Sequence, residues 1–398
     1  MNNKIVLISQ LIMNLEKTPT IGVIGGGQLG KMLIQKAMQW SVPIIILDKG
    51  KDCVASNYAQ QHIVKDIKNA DAIQELSDQV DVVTIEIEHT NADKLIELHN
   101  QGKTIIPNPY VLKTIQDKGT QKVFYQENNI PTAPFFLAEN KSELLEKLNS
   151  FDLEKVVVKS RTGGYDGKGV YINSKKNILD NIDIIPFDGS MMIEAHVPFK
   201  KELAVLAAQD IHGNIVSYPT IEMEFDPKSN LVNFLFSPAN IPIHIEEKAA
   251  LIAKQCLSSF NSVGLFAIEL FLTEDDQLLV NEIAPRPHNS AHHTIEGFYT
   301  SQYEQLLRVL LGFPLGNTQY KMPSAMLNIV ASETQSGHYV LKYFKELSAI
   351  KGVYVHLYGK EFAKPNRKLG HITICLPSIE EVMKTAYQIK NLLEIEII

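Results

Sequence analysis

The sequence predicts an α/β protein that opens on a doubly wound, Rossmann-like parallel sheet and becomes richer in β-structure beyond it. Three observations predict this. A strand, a glycine-rich turn, a helix and a second strand follow one another across residues 20–48. A second glycine-rich loop, at residues 159–170, lies between β-rich stretches. Two apolar strands, at 266–271 and 278–283, each carry one glutamate, Glu269 and Glu282.

At 398 residues the chain is too long for one hydrophobic core and divides into two to four domains. Apolar residues make up 45% and charged residues 21%, as in ordinary globular proteins. The net charge of −7 argues against a general nucleic-acid binder, which carries a basic surplus. Cys53, Cys256 and Cys375 are far apart in sequence, so neither a disulfide framework nor a zinc knot is expected, and the expected compartment is the reducing cytoplasm. No stretch reaches the roughly 18 apolar residues of a membrane span. Residues 4–13 faintly resemble a secretory signal but lack a small-residue cleavage site. Residues 1–19 are therefore read as an N-terminal extension, with Met13 as the alternative functional start.

Taken in order, residues 20–24 form a buried strand, 31–40 a helix and 43–48 a second strand, the opening of a βαβ unit. A strand at 80–87 ends in Glu86 and Glu88, and α/β sheets place ligands at such carboxyl ends. Pro107 and Pro109 mark a boundary, after which one helix is expected over 111–128. Strands at 154–160, 191–194, 202–209 and 215–219 suggest an antiparallel sheet, followed by a helix over 245–260. Short strands at 326–330, 353–357 and 371–375 read as a small third lobe. The expected domains are 20–108, 109–315 (with a β-rich lid at about 120–195) and 316–398.

The first glycine loop fits G-x-G-x-x-G through Gly25, Gly27 and Gly30, with Asp48 ending the next strand. Alone it serves equally as a dinucleotide site or as a crossover turn without cofactor. The second loop is more specific. Its glycines let backbone amides approach phosphate oxygens, and Lys159, Arg161 and Lys168 add positive charge at the same point. It does not match the Walker pattern G-x-x-x-x-G-K-[ST].

In the third constellation, a four-residue loop at 274–277 would pair Thr273 with Leu278, and hence Glu269 with Glu282. Two carboxylates facing each other on apolar strands repel unless a cation such as magnesium lies between them. A solvated acidic pair is the plain alternative. Arg286, just downstream, is placed to meet a γ-phosphate or a phosphorylated intermediate. His292 and His293 are read as surface histidines. Lys360, Lys364, Arg367 and Lys368 form a basic cluster that could hold a monophosphate or simply be a solvated face.

Together these features resemble the ATP-grasp superfamily. The strings at 25–32, 161–169, 281–290 and 364–371 are similar to the N5-carboxyaminoimidazole ribonucleotide synthetases, over about residues 20–375 in the expected order. The resemblance implies an ATP-grasp fold: an N-terminal pre-ATP-grasp domain, a central domain with a mobile lid, and a C-terminal β-rich lobe. It implies ATP-dependent carboxylation of 5-aminoimidazole ribonucleotide by bicarbonate through carboxyphosphate, with Mg2+ as metal and a homodimer as assembly. It assigns ATP contacts to Lys118, Lys159, the loop Gly164, Tyr165, Asp166, Gly167, Lys168, Gly169 and Val170, the segment Glu194, Ala195, His196 and Val197, and Glu202, Asn281 and Glu282.

On the same basis Glu269 and Glu282 hold the metal, Asp166 lies near the imidazole, and Lys159 and Arg286 assist the chemistry. The ribonucleotide falls to Lys360, Arg367 and Lys368, with Gln28, Glu86, Glu88, His288 and Asn289 as further contacts. Three departures stand out. Ala284 occupies a position that is often asparagine, Phe225 one that is often histidine, and Lys118 one that is arginine in some relatives. Other readings are a formate-dependent glycinamide ribonucleotide transformylase, a nicotinamide-dependent oxidoreductase resting on the first loop alone, and a nucleotide-binding regulator without turnover.

Overall fold

The computed structural model describes residues 18–151, 153–163, 169–225 and 232–398. The N-terminal sheet is parallel throughout, in the order Gln61–Val64, Ile44–Asp48, Ile21–Ile24, Val82–Ile85. The last three strands are apolar and buried almost without interruption, as parallel strands sandwiched by helices must be. Because strand order reverses at Ile21–Ile24, its carboxyl end and that of Val82–Ile85 open a crevice between oppositely running connections. The first glycine loop and Glu86 both fall there.

The single helix expected over 111–128 is two helices, Pro109–Ile115 and Lys118–Glu127. Asp117 makes the break, because its side chain accepts the Thr120 amide at 3.0 Å and so caps the second helix. Arg161 holds Asp117 in that role at 2.8 Å. The break places Lys118 in the first turn of the second helix, with Lys122 one turn further on.

The lid is a four-stranded antiparallel sheet, ordered Phe135–Ala138, Met191–Ala195, Lys155–Ser160, Val170–Ser174. It has a core of its own, built around Leu144, Leu148, Val156, Val158 and Ile193. Beneath it lies a larger antiparallel sheet, running Leu278–Ala284, Gly264–Thr273, Phe199–Gln209, Ile221–Phe225, Val232–Ser237. That sheet does not stop at the expected third lobe. Ser324–Val330, Lys368–Cys375 and Val353–Leu357 continue it without interruption, and only a three-stranded sheet of Phe362–Ala363, Gly337–Leu341 and Ile395–Ile397 is separate.

The hairpin carrying the two glutamates departs from the expected register. Leu272, not Thr273, pairs with Leu278. Thr273 closes the loop instead, its amide donating to Gln277 O and its hydroxyl accepting the Gln277 amide, both at 2.9 Å. A bulge between Ile268 and Leu270 then sets Glu269 against both Asn281 and Glu282, after which Ile268 pairs with Ile283. The slip and the bulge cancel, so the two carboxylates still meet.

Candidate functional site

A cleft of about 940 Å³ runs between the lid, the large sheet and the N-terminal crevice. Its floor is the bulged hairpin. Glu269 and Glu282 face the open cleft, with side chains 17% and 44% exposed. Burial, then the neighbouring Glu282 carboxylate, pushes the Glu269 carboxyl well up. Lys118 and then Lys159 hold Glu282 well down, against the effect of burial. Lys118 Nζ lies 3.1 Å from Glu282 Oε2, Asn281 Nδ2 lies 3.4 Å from Glu269 Oε2, and His288 Nε2 lies 3.7 Å from Glu269 Oε1.

This donor set suits a hard cation. The carboxylates and the Asn281 amide offer oxygen, and a divalent ion between the glutamates would relieve the repulsion between them. No group of three His, Cys, Asp or Glu stands together among the described residues, so substrate oxygens or water would complete the coordination shell.

On the lid side, Lys159 reaches Asn281 Oδ1 at 3.2 Å and pairs closely with Glu194. Glu194 also pairs with Lys122 at 3.0 Å, all within a site where Lys122 and Glu194 are 2% and 5% exposed. Burial works against ionisation of Glu194, yet Lys159 and Lys122 hold its carboxyl down at about 2. The Glu194 side chain is thus committed to lysines. The amides of Ala195 and His196 are committed to Pro134 O and Lys155 O, so neither can donate to a base. Ala195, His196, Val197 and Val170 line the cleft, as does Glu202, whose carboxyl burial pushes up to about 7 against the pull of Lys159.

Glu86 gives the first loop its meaning. Its carboxylate accepts the amides of Gly27 and Gly30, while Asp48 accepts that of Gly26 at 2.9 Å. The donors a dinucleotide pyrophosphate would need are therefore occupied by the protein's own carboxylates, which removes the nicotinamide reading. A Cβ at Gly25, where φ is +109°, would come within 2.4 Å of Glu86 Cγ. Close approach of this carboxylate, and not of a phosphate, explains the glycines.

The other expected residues gather as follows. Arg286 Nε lies 3.1 Å from Glu88 Oε1, and Arg286, Glu88, His288 and Asn289 all line the cleft. Lys368 lines it too, and Lys360 Nζ bonds Lys368 O at 2.7 Å and Gln28 Oε1 at 3.1 Å. Arg367 is turned aside, its guanidinium donating to Phe362 O at 2.8 Å. Gly169 closes the described end of the second loop, its carbonyl accepting the Ser160 amide at 2.8 Å. Gly164, Tyr165, Asp166, Gly167 and Lys168, the extension before residue 18, and the side chain of Phe225 lie outside the described residues.

His292 and His293 are not surface histidines: both are fully buried. Gln302 accepts the His288 amide at 2.9 Å, donates to His288 O at 3.0 Å and meets His292 Nδ1 at 2.9 Å, so it ties the buried His292 to the His288 segment of the cleft wall. Sequence reasoning also passed over Lys122 and Gln302. Lys122 could have been found from its spacing, four residues after Lys118 and three before the buried Tyr125, on the face turned to the sheet.

A lid over a large antiparallel sheet, with cleft lysines and a paired-carboxylate floor, defines an ATP-grasp enzyme. Family models agree along the chain: the ribonucleotide synthetase preATP-grasp domain at 18–116, the ATP-grasp domain at 123–303, and the phosphoribosylaminoimidazole carboxylase C-terminal domain at 324–385. The N5-carboxyaminoimidazole ribonucleotide synthase of Bacillus subtilis is 35% identical over 89% of this chain and 90% of its own. The solved synthetase from Thermotoga maritima is 36% identical, with a TM-score of 0.86 over 96% of this chain and all of that one.

An Aspergillus clavatus synthase, solved with ADP and 5-aminoimidazole ribonucleotide, is 31% identical with a TM-score of 0.83, over 94% of this chain and 98% of that one. The chain also matches fungal and plant phosphoribosylaminoimidazole carboxylases, of whose length it spans 64–69%. The chain belongs to the N5-carboxyaminoimidazole ribonucleotide synthase family.

Proposed function

We propose that the protein joins bicarbonate to the 5-amino group of 5-aminoimidazole ribonucleotide at the expense of ATP. The products are N5-carboxyaminoimidazole ribonucleotide, ADP and phosphate, and the step belongs to purine biosynthesis. The observation that carries this reading is the Glu269–Glu282 pair, flanked by Lys118 and Lys159, at the floor of a cleft that also reaches Gln28 and Lys368. A bicarbonate oxygen attacks the γ-phosphorus, ADP leaves, and carboxyphosphate forms. The substrate amine then attacks the carboxyl carbon, directly or after release of CO2, and phosphate departs.

Lys118 and Lys159 face the phosphates, where developing negative charge is greatest. Glu202 takes the ribose, and the segment from Glu194 to Val197 lies along the adenine, whose hydrogen bonds come from groups other than the Glu194 carboxylate and the Ala195 and His196 amides. Mg2+, held by Glu269 and Glu282, would offset the charge of the phosphates. Arg286, released from Glu88, is in position for the carboxyphosphate. Carboxyphosphate decomposes quickly in water, so a lid that covers the cleft protects the intermediate. Lys360, Lys368 and Arg367 take the ribonucleotide phosphate, an assignment that requires Arg367 to leave Phe362 O. Asp166 is assigned to the imidazole, and Gln28, His288 and Asn289 to the remainder of the ribonucleotide. Glu86 braces the first loop from the cleft wall.

The test is ADP release with ATP, magnesium and bicarbonate, with and without the ribonucleotide. Strong stimulation that requires bicarbonate is expected. Hydrolysis without stimulation would redirect the search to glycinamide ribonucleotide and formate. The family resemblance further supports a homodimer in the cytoplasm, for which sedimentation should give twice the 44.6 kDa chain mass.

A further inference from the structure

We propose that Lys31 is a positioning residue for the ribonucleotide, acting by holding the segment that carries Lys360. This rests on the functional reading above. Lys31 does not line the cleft. It follows Gln28 by three residues on the helix Gln28–Met38, on the same face, and is 7% exposed. Its ammonium donates to Leu357 O at 3.0 Å and Tyr358 O at 3.1 Å and sits 5.0 Å from the centre of the Tyr58 ring. An ammonium so placed, with two carbonyls and an aromatic face as partners, fixes the backbone that supplies them.

That backbone is the end of strand Val353–Leu357 and the turn after it. Tyr358 is buried, its amide donating to Leu369 O at 2.9 Å and its hydroxyl 3.0 Å from His371 Nδ1. Gly359 follows with φ +85°, a conformation glycine adopts without strain. Lys360 comes next and turns back to Gln28 Oε1 and Lys368 O. One helix therefore grips the turn twice from the same face, through Lys31 at Leu357 O and Tyr358 O and through Gln28 at Lys360. The N-terminal crevice and the basic end of the C-terminal strands are joined here, 326 residues apart in sequence. If the ribonucleotide phosphate is held by Lys360 and Lys368, its distance from the crevice is set by Lys31.

Steady-state kinetics of the full chain, Lys31→Met and Lys31→Arg test this. Lys31→Met should raise KM for 5-aminoimidazole ribonucleotide roughly ten- to a hundred-fold, the penalty of about 1 Å misplacement. KM for ATP should stay within about twofold of the full chain, since a change confined to one substrate's binding leaves the other unaltered. Lys31→Arg, which keeps the charge and donors, should recover most of the loss. Gly359→Ala, which strains the same turn with Lys31 intact, should give the same selective rise and serves if Lys31→Met does not fold.

An unchanged ribonucleotide KM in both variants would overturn the inference while leaving the proposed reaction standing. So would parallel rises in both KM values with a lowered Tm, which would mark a folding role only. If the unaltered protein shows no ribonucleotide-dependent turnover, the functional reading fails first and this inference with it.

Discussion

In the proposed reaction Glu269 and Glu282 hold the metal, so they are the first residues to substitute. Glu269→Gln removes one of the two carboxylates assigned to Mg2+, and Glu282→Gln removes the other, which also pairs with Lys118 at 3.1 Å. Each should lower ATP turnover by roughly a hundredfold or more, since removal of a transition-state charge contact costs about that much. Circular dichroism should stay unchanged. Full magnesium-dependent ADP release in both variants would discard the metal assignment. Lys122 makes a different case. Its ammonium and Glu194 are both buried, so Lys122→Met leaves a carboxylate with only Lys159 for company. Breaking a buried pair from one side costs about 3–5 kcal/mol, which denaturant titration would register as a shifted midpoint.

At the scale of elements, the short stretch around Asn289–Ala291 and the facing strand Lys368–Cys375 bury three imidazoles. His371 lies with its ring 4.7 Å from His292 and 4.3 Å from His356, the latter stacked and paired with Glu296 at 2.9 Å. Burial lowers His293 to about 3 and carries His292 and His371 well below the ordinary value of 6.5. In the folded state they stay neutral, whereas the unfolded chain takes up protons near 6.5. Their contribution is therefore complete above 6.5 and is lost as pH falls below it, for His293 down to about 3.

Each imidazole adds about 1.4 kcal/mol per pH unit to the slope of stability in that window. His293→Gln should flatten the slope by about one such increment, as urea unfolding at pH 6.5, 5.5 and 4.5 would show. An unchanged slope would mean that His293 titrates alike in both states.

Elements also show where sequence reading stops. Most of the strands around the site and the glutamate pair were legible because alternation and apolar runs report burial directly. The helix break at Asp117 was not, since its stabilising partner, Arg161, lies 44 residues away. The hairpin register slipped by one because Thr273 uses its hydroxyl to close the loop, a choice no periodicity records.

For the whole molecule, the continuous large sheet matters most. Val232–Ser237 pairs with Ser324–Val330, so the C-terminal strands complete the sheet that bears the site. A chain ending at residue 315 would leave the edge of Val232–Ser237 bare. It should aggregate or fail to give a cooperative thermal transition, because an open apolar edge recruits other strands. A soluble, cooperatively folding fragment would show that the central domain is self-sufficient. The N-terminal domain is tied in by the helix Gln28–Met38, whose Lys36 pairs with Glu304 at 2.7 Å and whose apolar face shares a core with Leu306 and Leu310.

The sequence by itself determined the parallel opening domain, the β-rich lid, the glutamate-bearing hairpin and the ATP-grasp family, because each rests on local pattern or on strings of contiguous residues. Only tertiary structure decided what the first glycine loop holds, since Glu86 is 59 residues from Gly27 and hydrophobic pattern does not reveal a carboxylate folded back onto amides. Tertiary structure likewise decided that His292 and His293 are buried, that Lys122 completes the Lys159–Glu194 pair, and that Lys31 grips the turn before Lys360. These are contacts between polar groups distant in sequence. Their partners are chosen by packing and desolvation, which no single stretch of chain encodes.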